Sequence, residues 1–181
     1  MTELSFRAAT IEDAEFVALI MMEAVGMPMM EEGKMPEEHL VDICRRTDTL
    51  YSYRNCVIVE MDGKRVGGLI SYKGEGYHEV KVRTFGLVKD NLTFDIEKMD
   101  DETREGEYYL DSAAVLPEYR GLGIGRKIIE YGVSVAREKG LLPILACDPN
   151  NVNAYKLYRS IGFKENGRLF IFGEDYLRMT F

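Results

Sequence analysis

The order of apolar and polar positions along the chain predicts alternating strands and helices. Ser5 to Ala8 alternates and predicts a short first strand. Thr10-Ile-Glu-Asp13 sets a hydroxyl ahead of first-turn acids, and Val17, Leu19, Ile20 and Ala24 then carry an apolar face to about Val25. Gly26 and Pro28 stop that helix, and a second is predicted from Pro36 through Leu40, Val41, Ile43 and Cys44. Two β-rich runs, Cys56–Met61 and Arg65–Tyr72, meet at Asp62-Gly63 and predict a hairpin. Within it, Gly67 and Gly68 point to a bulge or a close approach by another element. His78 to Val88 has helical character, and Lys89 to Gly106 is polar enough to be a loop or short helix.

The C-terminal half is more sharply patterned. Tyr108 to Val115 predicts a buried strand ended by Pro117, and Gly123 to Lys139 a helix with Ile124, Ile128, Ile129 and Val135 on one side. Gly140 stops it. Pro143 to Cys147 predicts another buried strand, and Asn151 to Ile161 a short helix closed by Gly162. Phe163–Glu165 and Tyr176–Phe181 predict closing strands, with a hairpin around Gly173. No repeat, low-complexity segment or linker interrupts the pattern, so residues 1–181 are expected to form one domain of α/β (α+β) class.

Composition narrows the function classes. With 46% hydrophobic residues in 181, the chain can build a core without staples. A net charge of −8 argues against a general nucleic-acid binder and against polybasic membrane docking. Three cysteines, Cys44, Cys56 and Cys147, have no C-x-x-C spacing, and only His39 and His78 accompany them. Neither a disulfide framework nor a metal site is expected, and the thiols are expected to be buried as small apolar groups. Met-Thr-Glu-Leu-Ser-Phe-Arg at the start has no apolar run, and no stretch approaches the ~18 apolar residues of a membrane span. A cytoplasmic protein is the expectation. The charge is uneven: residues 1–56 sum to −6, residues 57–106 to −3 and residues 107–181 to +1.

The sharpest chemical signal lies in that last segment. Tyr109-Leu-Asp-Ser-Ala-Ala-Val115 leads through Leu-Pro-Glu-Tyr119 into Arg120-Gly-Leu-Gly-Ile-Gly125 and a helix. Glycines let backbone N–H groups close around an anion, and the positive helix end adds attraction. Arg120 and Arg126 flank the turn as sources of charge-assisted hydrogen bonds. The G-x-G-x-G spacing is not the dinucleotide G-x-G-x-x-G, and the P-loop is absent because Lys127 is not followed by Ser or Thr. Glycines alone leave a structural tight turn equally open.

Arg120-Gly-Leu-Gly-Ile-Gly resembles the pyrophosphate-binding motif R/Q-x-x-G-x-G/A of the GCN5-related N-acetyltransferase (GNAT) superfamily. Phe6-Arg-Ala-Ala-Thr10 with Asp13-Ala14 is similar to that family's first strand and helix start. Val115-x-Pro117-x-x-Arg120 matches its lead into the motif, and Asn151-x-x-Ala154-x-x-Leu157-Tyr158-x-x-x-Gly162-Phe163 its C-terminal motif. The resemblance covers nearly the whole chain and is specific over about residues 109–163. It implies a mixed, mostly antiparallel central sheet, splayed at the acyl-CoA strand, with helices on both faces.

The resemblance also implies a co-substrate, acetyl-CoA, with no metal. Its pyrophosphate would rest on the amides of Arg120 to Arg126, chiefly at Gly121, Gly123 and Gly125, and its pantetheine arm beside Ala113, Ala114 and Val115. Asn151 matches a residue that often bonds CoA, and Asn equally favours a helix N-cap. Tyr158 matches the tyrosine that commonly protonates the departing thiolate; ring packing is the other reading. Tyr155 fits packing.

For the base that takes a proton from the amine, Glu107, Asp111 and Glu23 are candidates, with Asp111 first because its strand lines the cleft. Tyr109 stands nearer to where some members carry a glutamate. A covalent route through Ser112 or Cys147 lacks a His partner. The implied reaction moves acetyl to a primary amine of a small molecule or peptide, and a non-catalytic acyl-CoA-binding or sensing module is the alternative. The family's acceptor site comes from the first helices, their connection and the hairpins opposite. Here that connection is rich in methionine, with Met21, Met22, Met27, Met29, Met30 and Met35, adaptable residues suited either to a binding wall or, for Met21 and Met22, to the core. Gly26–Lys34 is expected as a flap whose Glu31 and Glu32 would attract a cationic amine. Family habit suggests a homodimer.

Overall fold

The computed structural model describes residues 4–27 and 29–181; Met1 to Glu3 and Pro28, expected as a stop of the first helix, lie outside the described residues, as do the side chains of Met30, Glu31 and Asn91. Strands β1 (Leu4–Ala8), β2 (Cys56–Met61), β3 (Lys64–Lys73), β4 (Glu107–Val115), β5 (Leu142–Cys147), β6 (Lys164–Ile171) and β7 (Glu174–Thr180) follow the sheet order β1-β2-β3-β4-β5-β7-β6. β1–β2, β2–β3, β5–β7 and β6–β7 are antiparallel, and β4–β5 is parallel. The helices are α1 (Ala14–Ala24), α2 (Met29–Glu32), α3 (Glu38–Arg45), α4 (Tyr77–Gly86), α5 (Ile124–Glu138) and α6 (Val152–Ile161). Among the described residues no helix is long and apolar enough to cross a membrane.

The chain forms two compact units, Met1–Ser71 with Ser112–Ile129, and Tyr72–Asp111 with Glu130–Phe181. In the first, the Asp62-Gly63 turn has positive φ at both residues, 51° and 74°, which matches the twist of the β2–β3 hairpin. Gly67 and Gly68 are there for space. A Cβ on Gly67 would stand 2.4 Å from the Ala114 carbonyl oxygen, and one on Gly68 2.3 Å from Ile20 Cδ1. A bulge also interrupts the partner strand between Val59 and Glu60. The α1 face of Val17, Ala18 and Ile20 is fully buried. α3 begins two residues beyond the expected Pro36, because Glu37 takes the extended N-cap position. The Gly26–Lys34 segment carries the one-turn helix α2, which its glycines and charges had not suggested.

In the second unit, α4 and α6 occupy the expected segments, and Lys89–Asn91 and Ile96–Lys98 are short 3-10 turns within the polar stretch. β6 runs to Ile171, beyond the expected Glu165. Asn166-Gly167 does not end the strand but bulges it, with Gly167 at φ 100° and a register shift between Glu165 and Arg168. Gly162 needs its freedom twice over: φ is 127°, and a Cβ would lie 3.2 Å from the Phe181 ring.

Asp13 is the buried charge among the described residues of the first unit. It accepts from Arg7 Nη1 and Nη2 at 2.7 and 3.0 Å and from the Thr10 backbone N–H at 2.9 Å, and Arg65 stands 3.3 Å away. The hydrogen bonds from Arg7 hold its carboxyl far below the usual carboxylate range against the opposing effect of burial. A depressed pKa gives stability that is complete above the unfolded value of ~3.9 and is lost as pH falls below it. Asp13→Asn should therefore cost about 2–3 kcal/mol at pH 7, allowing for the partial exposure of Arg7. Urea unfolding should also show a shallower loss of stability below pH ~4 in this variant than in the native chain. Equal acid sensitivity of the two proteins would show that Asp13 does not carry this dependence.

Candidate active site

The turn that leads into α5 has the backbone its glycines suggest. Gly121 and Gly123 both have φ of 77°, and a Cβ at Gly121, Gly123 or Gly125 would meet nothing within 4 Å. Space is thus open around the turn, and conformation alone demands glycine at the first two positions. The helical ladder starts with Lys127 N–H to Gly123 O at 3.3 Å, so the amides of Ile124, Gly125 and Arg126 precede it. No acid stands in this first turn. Such a cradle fits the phosphates of a nucleotide-like co-substrate.

Arg120 has another task. Its backbone N–H donates to Pro117 O at 3.2 Å, its Nε to Val115 O at 3.0 Å and its Nη2 to Glu23 Oε1 at 2.7 Å. The side chain therefore ties the turn to the end of β4 and to α1. Glu23, third among the base candidates, is the anion on that tie. Glu107 is also committed. It is buried and accepts from Arg104 Nε at 3.0 Å, Arg104 N–H at 3.1 Å, Thr103 Oγ1 at 3.2 Å and the Arg178 guanidinium.

Asp111 is placed differently. The parallel ladder runs from Glu107↔Leu142 to Tyr109↔Ile144, while β4 continues to Val115 and β5 to Cys147. Asp111 lies two residues past the last pair, on the face it shares with Tyr109, Ala113 and Val115 by strand alternation. It is half-buried, as are Ala113 and Val115, and Ala114 between them is buried. Tyr72 donates its hydroxyl to Asp111 Oδ2.

Glu102, which the sequence did not single out, belongs to the same group. Its carboxylate accepts from Tyr77 at 2.7 Å and from Tyr109. The Tyr72 ring stacks on Tyr77 at 6.2 Å and meets Tyr109 edge-on at 5.9 Å. Glu102 sits in the acidic run Asp100-Asp101-Glu102 of a polar segment, and nothing in that pattern separates a buried carboxylate from solvated ones. Tyr109, on β4, thus bonds a glutamate arriving from the preceding loop.

On α6, Asn151 is the N-cap, its Oδ1 accepting from Ala154 N–H at 3.0 Å. Tyr155 donates to Glu165 at 2.6 Å. Tyr158 is half-buried against Phe163, ring centroids 6.2 Å apart, and among the described residues its hydroxyl has no hydrogen-bond partner. Burial, with the nearby Cys147, pushes its phenol up to about 12, so it stays protonated at neutral pH. The three free thiols are buried; burial pushes Cys147 up to about 11 and Cys44 to about 12, which leaves neither a ready nucleophile. Of the methionines, Met21 and Met22 are core residues, whereas Met27 and Met35 are about half exposed.

A mixed sheet parted between β4 and β5, with a glycine turn opening the next helix, matches a known class. The model of the Acetyltransferase (GNAT) family matches residues 21–163, and the chain belongs to that family. An N-acetyltransferase structure from Staphylococcus aureus Mu50 is similar to 98% of this chain and 100% of its own, at 25% identity and a TM-score of 0.76. A spermine/spermidine N(1)-acetyltransferase of Bacillus subtilis (strain 168) is 31% identical over 80 residues, 43% of this chain and 53% of its own. A thialysine N-epsilon-acetyltransferase of Bos taurus is 43% identical over 58 residues, 32% of this chain and 34% of its own. The chain thus spans about half or less of the length of these curated relatives.

The glycine turn makes a separable expectation. Gly123→Ala forces a left-handed alanine at about 1–2 kcal/mol and should weaken coenzyme A binding about tenfold in calorimetry. Unchanged affinity would mean that the turn does not hold the phosphates.

Proposed function

We propose that this chain is an acetyl-CoA-dependent N-acetyltransferase acting on a primary amine of a small molecule or peptide by direct attack. The observation that carries the reading is the parting of β4 from β5 after Tyr109↔Ile144, which leaves Asp111 two residues beyond the last pair in a chain of this family. Membership alone suggests acetyl transfer. The parted strands add a half-buried carboxylate just beyond the last paired residues.

Acetyl-CoA supplies an electrophilic thioester carbonyl and a thiolate leaving group. In this reading Gly121, Gly123, Gly125 and the first amides of α5, with Arg126, hold the pyrophosphate, and Ala113 to Val115 offer backbone groups to the pantetheine amides. Arg120 holds the turn in shape through Val115 and Glu23. Asn151 uses its oxygen as the cap and has its amide NH2 for the co-substrate.

An ammonium acceptor loses two protons on becoming an amide. Asp111 takes the first, which frees the nitrogen lone pair for attack. The second leaves as the C–S bond breaks, when Tyr158 gives its phenolic proton to the sulfur and is reprotonated. The balance is one proton released to solvent per turnover. Tyr158 suits the acid role because its raised pKa keeps the proton until a thiolate appears beside it. The named relatives acetylate spermine, spermidine and thialysine, and residues 1–106 hold the acidic excess; both support a cationic acceptor.

Thiol release from acetyl-CoA across polyamines, amino acids, aminoglycosides and peptides tests the reading. Turnover with cationic amines is expected. Coenzyme A binding without turnover on any amine would leave a binding or sensing module instead. For the active amine, Tyr158→Phe should lower kcat about 10²-fold with little change in the KM for acetyl-CoA. An unchanged kcat would remove Tyr158 from the acid role.

A further inference from the structure

Glu102 is a carboxylate of the Asp111 neighbourhood that the reaction above leaves unused, and its surroundings are costly. It is 2% exposed and, among the described residues, forms no ion pair. Lys81, on α4, is spent on Asp101 at 2.5 Å and on Met99 O at 2.9 Å. Two phenols, Tyr77 from α4 and Tyr109 from β4, are its hydrogen-bond donors. The charged and titratable groups facing it are Tyr77 and Lys81 on α4, Tyr109 and Asp111 on β4, and Tyr176 on β7. Tyr72 on β3 faces Asp111. A buried carboxylate with no cation is a group that folding alone would replace with an apolar residue.

Tyr72, which donates to Asp111, stacks on Tyr77 and meets Tyr109 edge-on, and both of these donate to Glu102, so one tyrosine cluster joins the two carboxylates; Asp111 is half-buried and Glu102 buried. We propose that Glu102 is a positioning residue for proton transfer: across this tyrosine cluster its negative charge makes Asp111 the stronger acceptor of the amine's proton. This rests on the acetyltransferase reading. The step is a proton transfer only. The N–H bond of the ammonium breaks and an O–H bond forms on Asp111, while Glu102, already deprotonated, stays charged and stabilises that new O–H bond. When Glu102 is protonated that charge is gone, and Asp111 is the weaker acceptor. Burial first, and the Asp111 charge second, push Glu102 up to about 8, so the active form of the pair fills as pH rises through the neutral range. The protons leave in steps that belong to both groups.

The test is the pH profile of kcat/KM with one amine, so that the amine's own titration is common to every variant. The native enzyme should show an acid limb centred near pH 8. Glu102→Gln should move that limb down by about one pH unit or more and lower the plateau about tenfold. Tyr77→Phe removes a donor that favours the charged form of Glu102, so its limb should move up. Opposite shifts in the two variants support the proposal, and Tyr77→Phe decides it if Glu102→Gln does not fold. Lower rates with the limb unmoved in both would overturn it, leaving Glu102 a structural group. Carboxyl carbon NMR titration reads the same pair without turnover. Coupled titration of Glu102 and Asp111 in a protein that acetylates no amine would sink the acetyltransferase reading but not the pair, whereas independent titration in an active enzyme would sink the pair alone.

Discussion

The carboxylate of Glu107, buried at the first residue of β4, sets the geometry of the second unit. A buried charge must be fully satisfied or the unit does not fold around it. Here the Arg104 side chain and amide, Thr103 and Arg178 do so together, and its backbone carbonyl accepts from Gly74 N–H at 3.0 Å. Those bonds draw the preceding loop, the end of β3 and strand β7 to one point. They also fix the register in which Glu107 faces Leu142. Strand alternation then carries Tyr109 inward and leaves Asp111 at the place where β4 and β5 part. A one-residue slip would turn Asp111 to the opposite face.

The first unit uses charge in a similar way but for another end. Asp13 locks β1 to the start of α1 through Arg7 and Thr10. Gly67 lets β3 approach the Ala114 carbonyl closely, and Arg120 closes the turn on Val115 and Glu23. Asp13, Glu107 and Arg120 each combine an ion pair with a hydrogen bond to backbone. By contrast, Glu102 accepts hydrogen bonds from Tyr77 and Tyr109, and Asp111 accepts one from Tyr72.

That division gives the proposed chemistry a physical basis. Low-dielectric surroundings raise the proton affinity of Tyr158 and Glu102 alike, with opposite uses. A phenol so shifted keeps its proton until a thiolate forms. A carboxylate so shifted becomes a better partner for a base. The cysteines, buried by the same apolar packing, are pushed away from reactivity.

The sequence by itself determined most elements, because their signals are local. Asp62-Gly63, Gly140, Gly162 and the Asn151 cap act within a few residues, and so does the G-x-G-x-G turn that carried the family. Its limits were also local: the closing strand was expected to end at Glu165, where pairing with β7 carries β6 on to Ile171 through a bulge. Tertiary structure alone decided which carboxylates were committed. Glu107, Asp111, Glu23 and Glu102 look equally polar along the chain, yet Arg104 with Arg178 takes the first and Arg120 the third, from up to 97 residues away. Tyr109 and Tyr77 enclose the fourth, which no pattern had marked. A carboxylate's proton affinity depends on what desolvates and pairs it in space, and that information is absent from its neighbours in sequence.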